Sequence, residues 1–150
     1  MEFELRPIGV VHNQVPSGTR RIPREEVESE IVISPEWADA LDGVEGFSHL
    51  WVIFHFSQSP SPDTPRVHPQ GRDDAPLVGI FATRSPVRPN PIGLALVELL
   101  ALEGDLLRVR GLDAYDGTPV LDLKPYLPVG DSMPYARVPD WLVRLQTDEG

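Results

Sequence analysis

The stretch Asp122-Leu123-Lys124-Pro125-Tyr126 places a carboxylate, the chain's single lysine and a phenol within five residues. In an extended chain alternate residues face the same way, so Asp122, Lys124 and Tyr126 share one side. Groups of this kind can surround a nucleophilic amine and receive its proton. They can equally form an ion pair that closes the end of a barrel. A second chemistry-bearing stretch lies upstream, Leu77–Leu100, LVGIFATRSPVRPNPIGLALVELL. Prolines 86, 89 and 91 fix three φ angles and push the residues before them towards extended shapes. Arg84, Arg88 and Asn90 therefore ride on a stiff segment, which suits an anionic or π-rich ligand. The competing reading is a proline-rich surface hairpin with solvated arginines.

Asp116-Gly117-Thr118-Pro119 reads first as a tight hairpin turn, with Asp capping, Gly at positive φ and Pro entering the next strand. Exposed N–H and C=O groups on such a turn can also grip an adenine edge or an amino-acid moiety. Arg20, Arg21 and Arg24 put three cations in five residues, partly neutralised by Glu25 and Glu26. Together with Arg84 and Arg88 they would form a basic patch on an acidic protein. No metal site is expected. His49 and His55 share a strand face but lie about 20 Å apart, too far to hold one ion. His49 reads as structural. Without cysteine or a GxSxG elbow, a Cys or Ser hydrolase is not supported.

These groups need elements to position them. Leu77–Ala82 and Ile92–Leu100 are apolar runs bounded by Gly and Pro and read as buried strands. Further strands are expected over Phe3–His12, Glu26–Ile33, Phe47–Phe56, Asp105–Leu112 and Thr118–Leu123, with Phe47–Phe56 central. Ser34-Pro35-Glu36 reads as a helix start with Ser as N-cap, and Gly43 as its end. Gln58–Pro76, with five prolines, reads as a long loop, and Asp140–Leu145 as a strand or a helical turn. Six or seven short strands, one short helix and Pro/Gly punctuation give a mainly β fold, a small β-barrel. No βα alternation and no GxGxxG after a strand are present, which argues against a Rossmann-type enzyme.

The chain has 150 residues and a formal net charge of −10, with 13 cations against 23 acids. One domain over residues 1–150 is expected, its core running from about residue 5 to 136. The acidity argues against indiscriminate nucleic-acid binding but allows a local basic patch. An apolar run long enough for a membrane span is absent, and the acidic N-terminus does not read as a signal peptide. A cytoplasmic protein is expected.

ATRSPVRPNPIG at residues 82–93, DGTPVLDLKPY at Asp116–Tyr126 and GFSHLWVIF at Gly46–Phe54 closely resemble the TsaA-like family, whose characterised members include the TrmO tRNA methyltransferases. The resemblance runs from about Ile8 to about Ala136. It implies a small non-Rossmann β-barrel that binds S-adenosylmethionine (SAM), usually as a homodimer. It also implies methylation of N6 of threonylcarbamoyl-adenosine beside the tRNA anticodon, with the anticodon loop as partner. The cofactor contacts it implies are Pro23, Arg24, Glu25, Ser57, Gln58, Arg84, Leu94, Asp116, Gly117, Thr118 and Pro119. Asp122, Lys124 and Tyr126 are then the candidate catalytic groups, and Arg88, Asn90, Arg20 and Arg21 the candidate substrate contacts. Glu25 stands where relatives carry Gln, and Ser57 where many carry His. Some relatives have an additional C-terminal domain, which this chain is expected to lack. The alternatives are methylation of another small substrate, or a regulatory barrel that binds SAM without catalysis.

Overall fold

The structure is a computed structural model that describes residues 1–15 and 23–148. The chain separates into two compact units, Met1–Gln58 with Ile92–Tyr126, and Ser59–Pro91 with the segment from Leu127 onward.

The first unit is a closed six-stranded barrel. Its strands are β1 (Gly9–His12), β2 (Glu28–Ile33), β3 (His49–His55), β6 (Ile92–Glu103), β7 (Leu106–Arg110) and β8 (Pro119–Pro125). They close in the order β1-β2-β7-β6-β3-β8, and every neighbouring pair is antiparallel. The strands follow the alternation of the sequence. Leu50, Val52 and Phe54 of β3 point inward, as do Ile31 and Ile33, Leu107 and Val109, and Val120. Each such side chain is removed from water almost completely, worth roughly 1.5–3 kcal/mol apiece. Closure needs local bends. Register shifts occur in the β3–β8 pairing at Ile53/Phe54 and in the β6–β7 pairing at Leu99/Ala101. Each leaves one extra residue unpaired, Leu121 and Leu100, which turns its strand around the barrel. Gly9 permits the closest strand approach: a Cβ there would lie 2.5 Å from the Val32 carbonyl oxygen.

The expected short helix forms at Pro35–Leu41 as a 3-10 helix, with Ser34 preceding it but making no side-chain cap. Leu41 is its buried anchor, and Gly43 follows at φ 92°.

In the second unit the expected buried strand over Leu77–Ala82 is not formed. Only β5 (Val78–Gly79) is extended, paired with β4 (Arg66–Val67), and the chain then turns into a 3-10 segment at Ile80–Ala82. Gly79 interrupts the apolar run and supplies no side chain to pack, which weakens a strand there. Of this run only Ile80 is fully buried, and Phe81 is 82% exposed. The proline-braced segment is therefore joined to one core strand, β6, and not to two. The Gln58–Pro76 stretch contains β4 and a 3-10 turn at Pro69–Gly71. The His68 Nδ1–H donates to the Ala75 carbonyl at 2.9 Å, tying that stretch to itself. Asp140–Asp148 is a helix, with Leu145 buried.

Candidate functional site

One rim of the barrel collects most of the candidate cofactor residues of the first unit. Its position follows from strand register. His55 pairs with Ile92, and Phe54 with both Gly93 and Val120, so the end of β3 and the starts of β6 and β8 lie side by side. Ser57 and Gln58 follow β3 here, held by a turn in which the Ser57 N–H donates to the His55 carbonyl at 2.9 Å. Thr118 leads into β8, which Pro119 opens, and β1 runs antiparallel beside it, so His12 arrives at the same rim. His12 pairs with Glu30, which brings the start of β2 and the preceding Pro23-Arg24-Glu25 to this end as well. Arg24–Glu26 is a 3-10 turn whose following residue, Val27, is buried and accepts the Gly111 N–H at 3.0 Å.

The Asp116-Gly117 turn is not a hairpin. β7 and β8, on either side of it, are not neighbours in the barrel, so the turn closes onto the end of β1 instead. Asn13 organises that junction. Its amide donates to Ser29 Oγ at 3.0 Å and to the Ala114 carbonyl at 2.9 Å, and its Oδ1 accepts the Val15 N–H at 2.9 Å. The Asn13 backbone N–H donates to Asp116 Oδ1 at 3.0 Å. His12 Nδ1 lies 3.7 Å from the same oxygen.

The outer face of β6, β3 and β8 forms aligned rows. Leu94, Ile53 and Asp122 are register partners across three strands, so Asp122 lies two strand spacings, about 10 Å, from Leu94. Leu96, Trp51 and Lys124 make the next row. Tyr126 lies beyond it at the other end of β8. Its N–H donates to the His49 carbonyl at 3.1 Å, and its ring meets Trp51 and His49 edge-on at 5.9 and 6.3 Å. Asp122, Lys124 and Tyr126 thus run down the barrel away from the rim of Asp116–Pro119. Asp122 pairs with Lys124 at 3.4 Å, and its Oδ1 accepts the Leu123 N–H. His49 Nδ1 lies 2.7 Å from Ser48 Oγ.

A hollow of 260 Å³ opens at that opposite end, lined by Asp42, Val44, Phe47, Leu50, Leu123 and Lys124 among others. It is not at the rim that carries the candidate cofactor residues.

Arg84, Arg88 and Asn90 belong to the second unit. Arg88 is built into its own loop: Nη1 donates to the Thr83 carbonyl at 3.1 Å and to the Ser85 carbonyl at 3.0 Å. The Ser85 and Val87 N–H groups are taken by Thr83 Oγ1 and Ser85 Oγ. Arg84 and Asn90 are exposed, and no hydrogen bond or ion pair of Arg84 is seen among the described residues. Arg20 and Arg21 lie outside the described residues.

Residues 11–132 match the tRNA-methyltransferase O N-terminal domain family. The chain belongs to this family. It is 48% identical over 142 residues to a probable S-adenosyl-L-methionine-binding protein of Methanothermobacter thermautotrophicus, covering 89% of this chain and 96% of that one. It is 39% identical over 145 residues to the tRNA (adenine(37)-N6)-methyltransferase of Escherichia coli, covering 89% of this chain and 62% of the relative. The crystal structure of TrmO from P. aeruginosa superposes with a TM-score of 0.76 at 33% identity, over 93% of this chain and 62% of that one. The chain therefore spans about three fifths of the length of the E. coli enzyme and of the solved TrmO chain.

In this TrmO-family barrel, no cluster able to hold a metal is found among the described residues, and no described helix is long and apolar enough to cross a membrane. Asp74 in the second unit has its carboxyl held below the ordinary value, chiefly by the hydrogen bonds from Arg72. Sequence reasoning did not single out Asn13 or His12. Asn13 in His12-Asn13-Gln14 has the composition of a turn. Its partnership with Asp116, 103 residues away, has no local signature.

Proposed function

We propose that this chain is a SAM-dependent methyltransferase that modifies N6 of threonylcarbamoyl-adenosine next to the tRNA anticodon. The observation that carries the reading is the family match across residues 11–132, supported by the kinship to a named tRNA (adenine(37)-N6)-methyltransferase. The rim bearing Arg24, Ser57, Gln58, Leu94 and Asp116–Pro119 is the proposed cofactor site. The residues fit such a ligand: Leu94 is 52% exposed and offers apolar surface, and Asp116 is an exposed acceptor.

SAM, when bound, supplies a methyl carbon made electrophilic by its sulfonium. Held at the rim by Arg24, Leu94 and Asp116, the cofactor would supply that methyl group to the substrate nitrogen, which would give up its N6 proton in exchange. The protein's work is alignment of donor and acceptor and a place for the proton. Asp122 is the proposed acceptor because it shares an outer row with Leu94. Lys124, 3.4 Å away, pairs with that carboxylate, whereas Tyr126 stands further down the strand. Arg88 and Asn90, with Arg20 and Arg21, are proposed to meet RNA phosphate or the substrate carboxylate. The base must be exposed, as single-stranded anticodon-loop bases are.

The proposal includes a homodimer acting in the cytoplasm, and sedimentation equilibrium reads the dimer directly. The activity is tested by transfer of labelled methyl from SAM to tRNA with and without the threonylcarbamoyl group. Label only in the modified tRNA supports the reading. Tight SAM binding without transfer to either would reduce the protein to a SAM-binding barrel.

A further inference from the structure

We propose that the hollow at the Lys124 end of the barrel binds a small apolar α-amino acid. The ligand's carboxylate meets the Lys124 ammonium, its ammonium meets the Asp42 carboxylate, and its side chain packs on Phe47 and Leu123. The hollow lies at the opposite end from the cofactor rim, and the inference stands whether or not that rim holds SAM.

The floor of the hollow is the end of the barrel core. Val52 pairs with Leu123 and Leu50 with Pro125, so Leu50 and Leu123 come together where β3 and β8 meet this end. Leu50 is buried, and Leu123 packs against the core. The chain crosses here in two 3-10 turns, Pro35–Leu41 and Val44–Gly46. Leu41-Asp42-Gly43-Val44 joins them as a type II turn, with Asp42 at φ −60°, ψ 122° and Gly43 at φ 92°, ψ −9°. Val44 and Phe47 beyond it line the hollow, and Phe47 stays exposed. Clefts for drug-sized ligands run to roughly 300–1,000 Å³, so a hollow of 260 Å³ suits an amino acid and is small for SAM.

Two opposite charges open onto this apolar floor, Lys124 and Asp42. Lys124 is the chain's single lysine, and its ammonium carries three donors. Asp122 Oδ2, 3.4 Å from Nζ, faces one of them, which leaves the others for a ligand carboxylate. The Asp42 N–H is spent on the Asp39 carbonyl at 3.2 Å. Its carboxylate has no donor or cation beside it among the described residues. A ligand with a carboxylate alone would meet the repulsion of Asp42 and Asp122. One with an amine alone would meet the Lys124 ammonium, and a neutral apolar molecule would leave both charges unused. An α-amino acid answers both charges with charge-assisted hydrogen bonds and covers the exposed apolar floor with its side chain.

Amide chemical-shift titrations would compare L-phenylalanine with 3-phenylpropionate, which lacks the ammonium, and with phenethylamine, which lacks the carboxylate. L-Phenylalanine is expected to move the Val44, Phe47 and Lys124 amides and to bind about threefold or more tightly than either fragment. Asp42→Asn should weaken L-phenylalanine about three- to fivefold and leave 3-phenylpropionate no weaker. Lys124→Gln should weaken both of these and leave phenethylamine no weaker. Both side chains are exposed, so neither variant removes core packing. Should Lys124→Gln fail to fold, the three ligands on wild type and on Asp42→Asn decide. Hollow amides that L-phenylalanine leaves in place at about 10 mM overturn the inference. So do equal affinities for the three probes, or shifts confined to the Arg24 and Asp116 rim. Shifts of the hollow amides with protein concentration alone would give the hollow to a second copy of the chain and overturn it as well.

Discussion

The backbone N–H of Asn13 donates to Asp116 Oδ1 at 3.0 Å, joining the end of β1 to a turn 103 residues away. The Asn13 side chain completes the junction by bridging Ser29, Ala114 and Val15. Ser29 is 2% exposed, so its hydroxyl depends on this partner and cannot turn to water instead. One asparagine thus couples the closure of the barrel to the shape of the proposed cofactor rim.

Replacing Asn13 with Ala removes both amide donors and the Val15 acceptor, leaving buried polar groups unpaired. The expected loss is about 1–3 kcal/mol of stability, read from urea unfolding. Affinity for S-adenosylhomocysteine should fall in the folded variant because the Asp116 turn loosens. A variant as stable as wild type with unchanged affinity would show that the junction neither holds the barrel nor shapes the rim.

The two central arginines should respond differently. Arg88 braces its loop through two carbonyls, so Arg88→Ala should speed hydrogen exchange at the Ser85 and Val87 amides. Arg84→Ala should leave those amides protected and weaken ligand or tRNA binding, with a diminished salt dependence if RNA phosphate is its partner. Loss of amide protection in Arg84→Ala would make that residue structural.

The barrel was largely legible in the sequence because its strands alternate or run apolar between Gly and Pro. His49–His55 and Ile92–Glu103 fall where the apolar patterning puts them. Leu77–Ala82 misleads because five apolar residues around one glycine look like a buried strand whether or not a partner exists for them. Its only strand partner among the described residues is the two-residue Arg66–Val67, and Phe81 ends exposed. The Asp116-Gly117 turn was legible as a turn but not as a junction. Turn chemistry is local, whereas the strand order that sets β7 and β8 apart is global. The common direction of Asp122, Lys124 and Tyr126 followed from strand alternation. Their course away from the Asp116–Pro119 rim needed the register with β3.

Asp74 supplies a pH-dependent prediction. Its folded-state pKa lies below the ordinary 3.8, mainly through the side-chain hydrogen bonds of Arg72. A depressed acid contributes stability above the unfolded value and loses it as pH falls through the folded value. Arg72→Ala should therefore raise the Asp74 pKa towards 3.8, measured by NMR titration of its carboxyl carbon. An unchanged titration would mean that the pair does not persist in solution.

Amide chemical-shift mapping with S-adenosylhomocysteine tests the proposed cofactor rim most directly. The account predicts perturbations at Arg24, Ser57, Gln58, Leu94 and Asp116–Thr118, with Phe47 and Lys124 at the opposite hollow left in place. Perturbations confined to Asp42–Phe47 and Leu123–Lys124 would put the ligand at the wrong end of the barrel and contradict it.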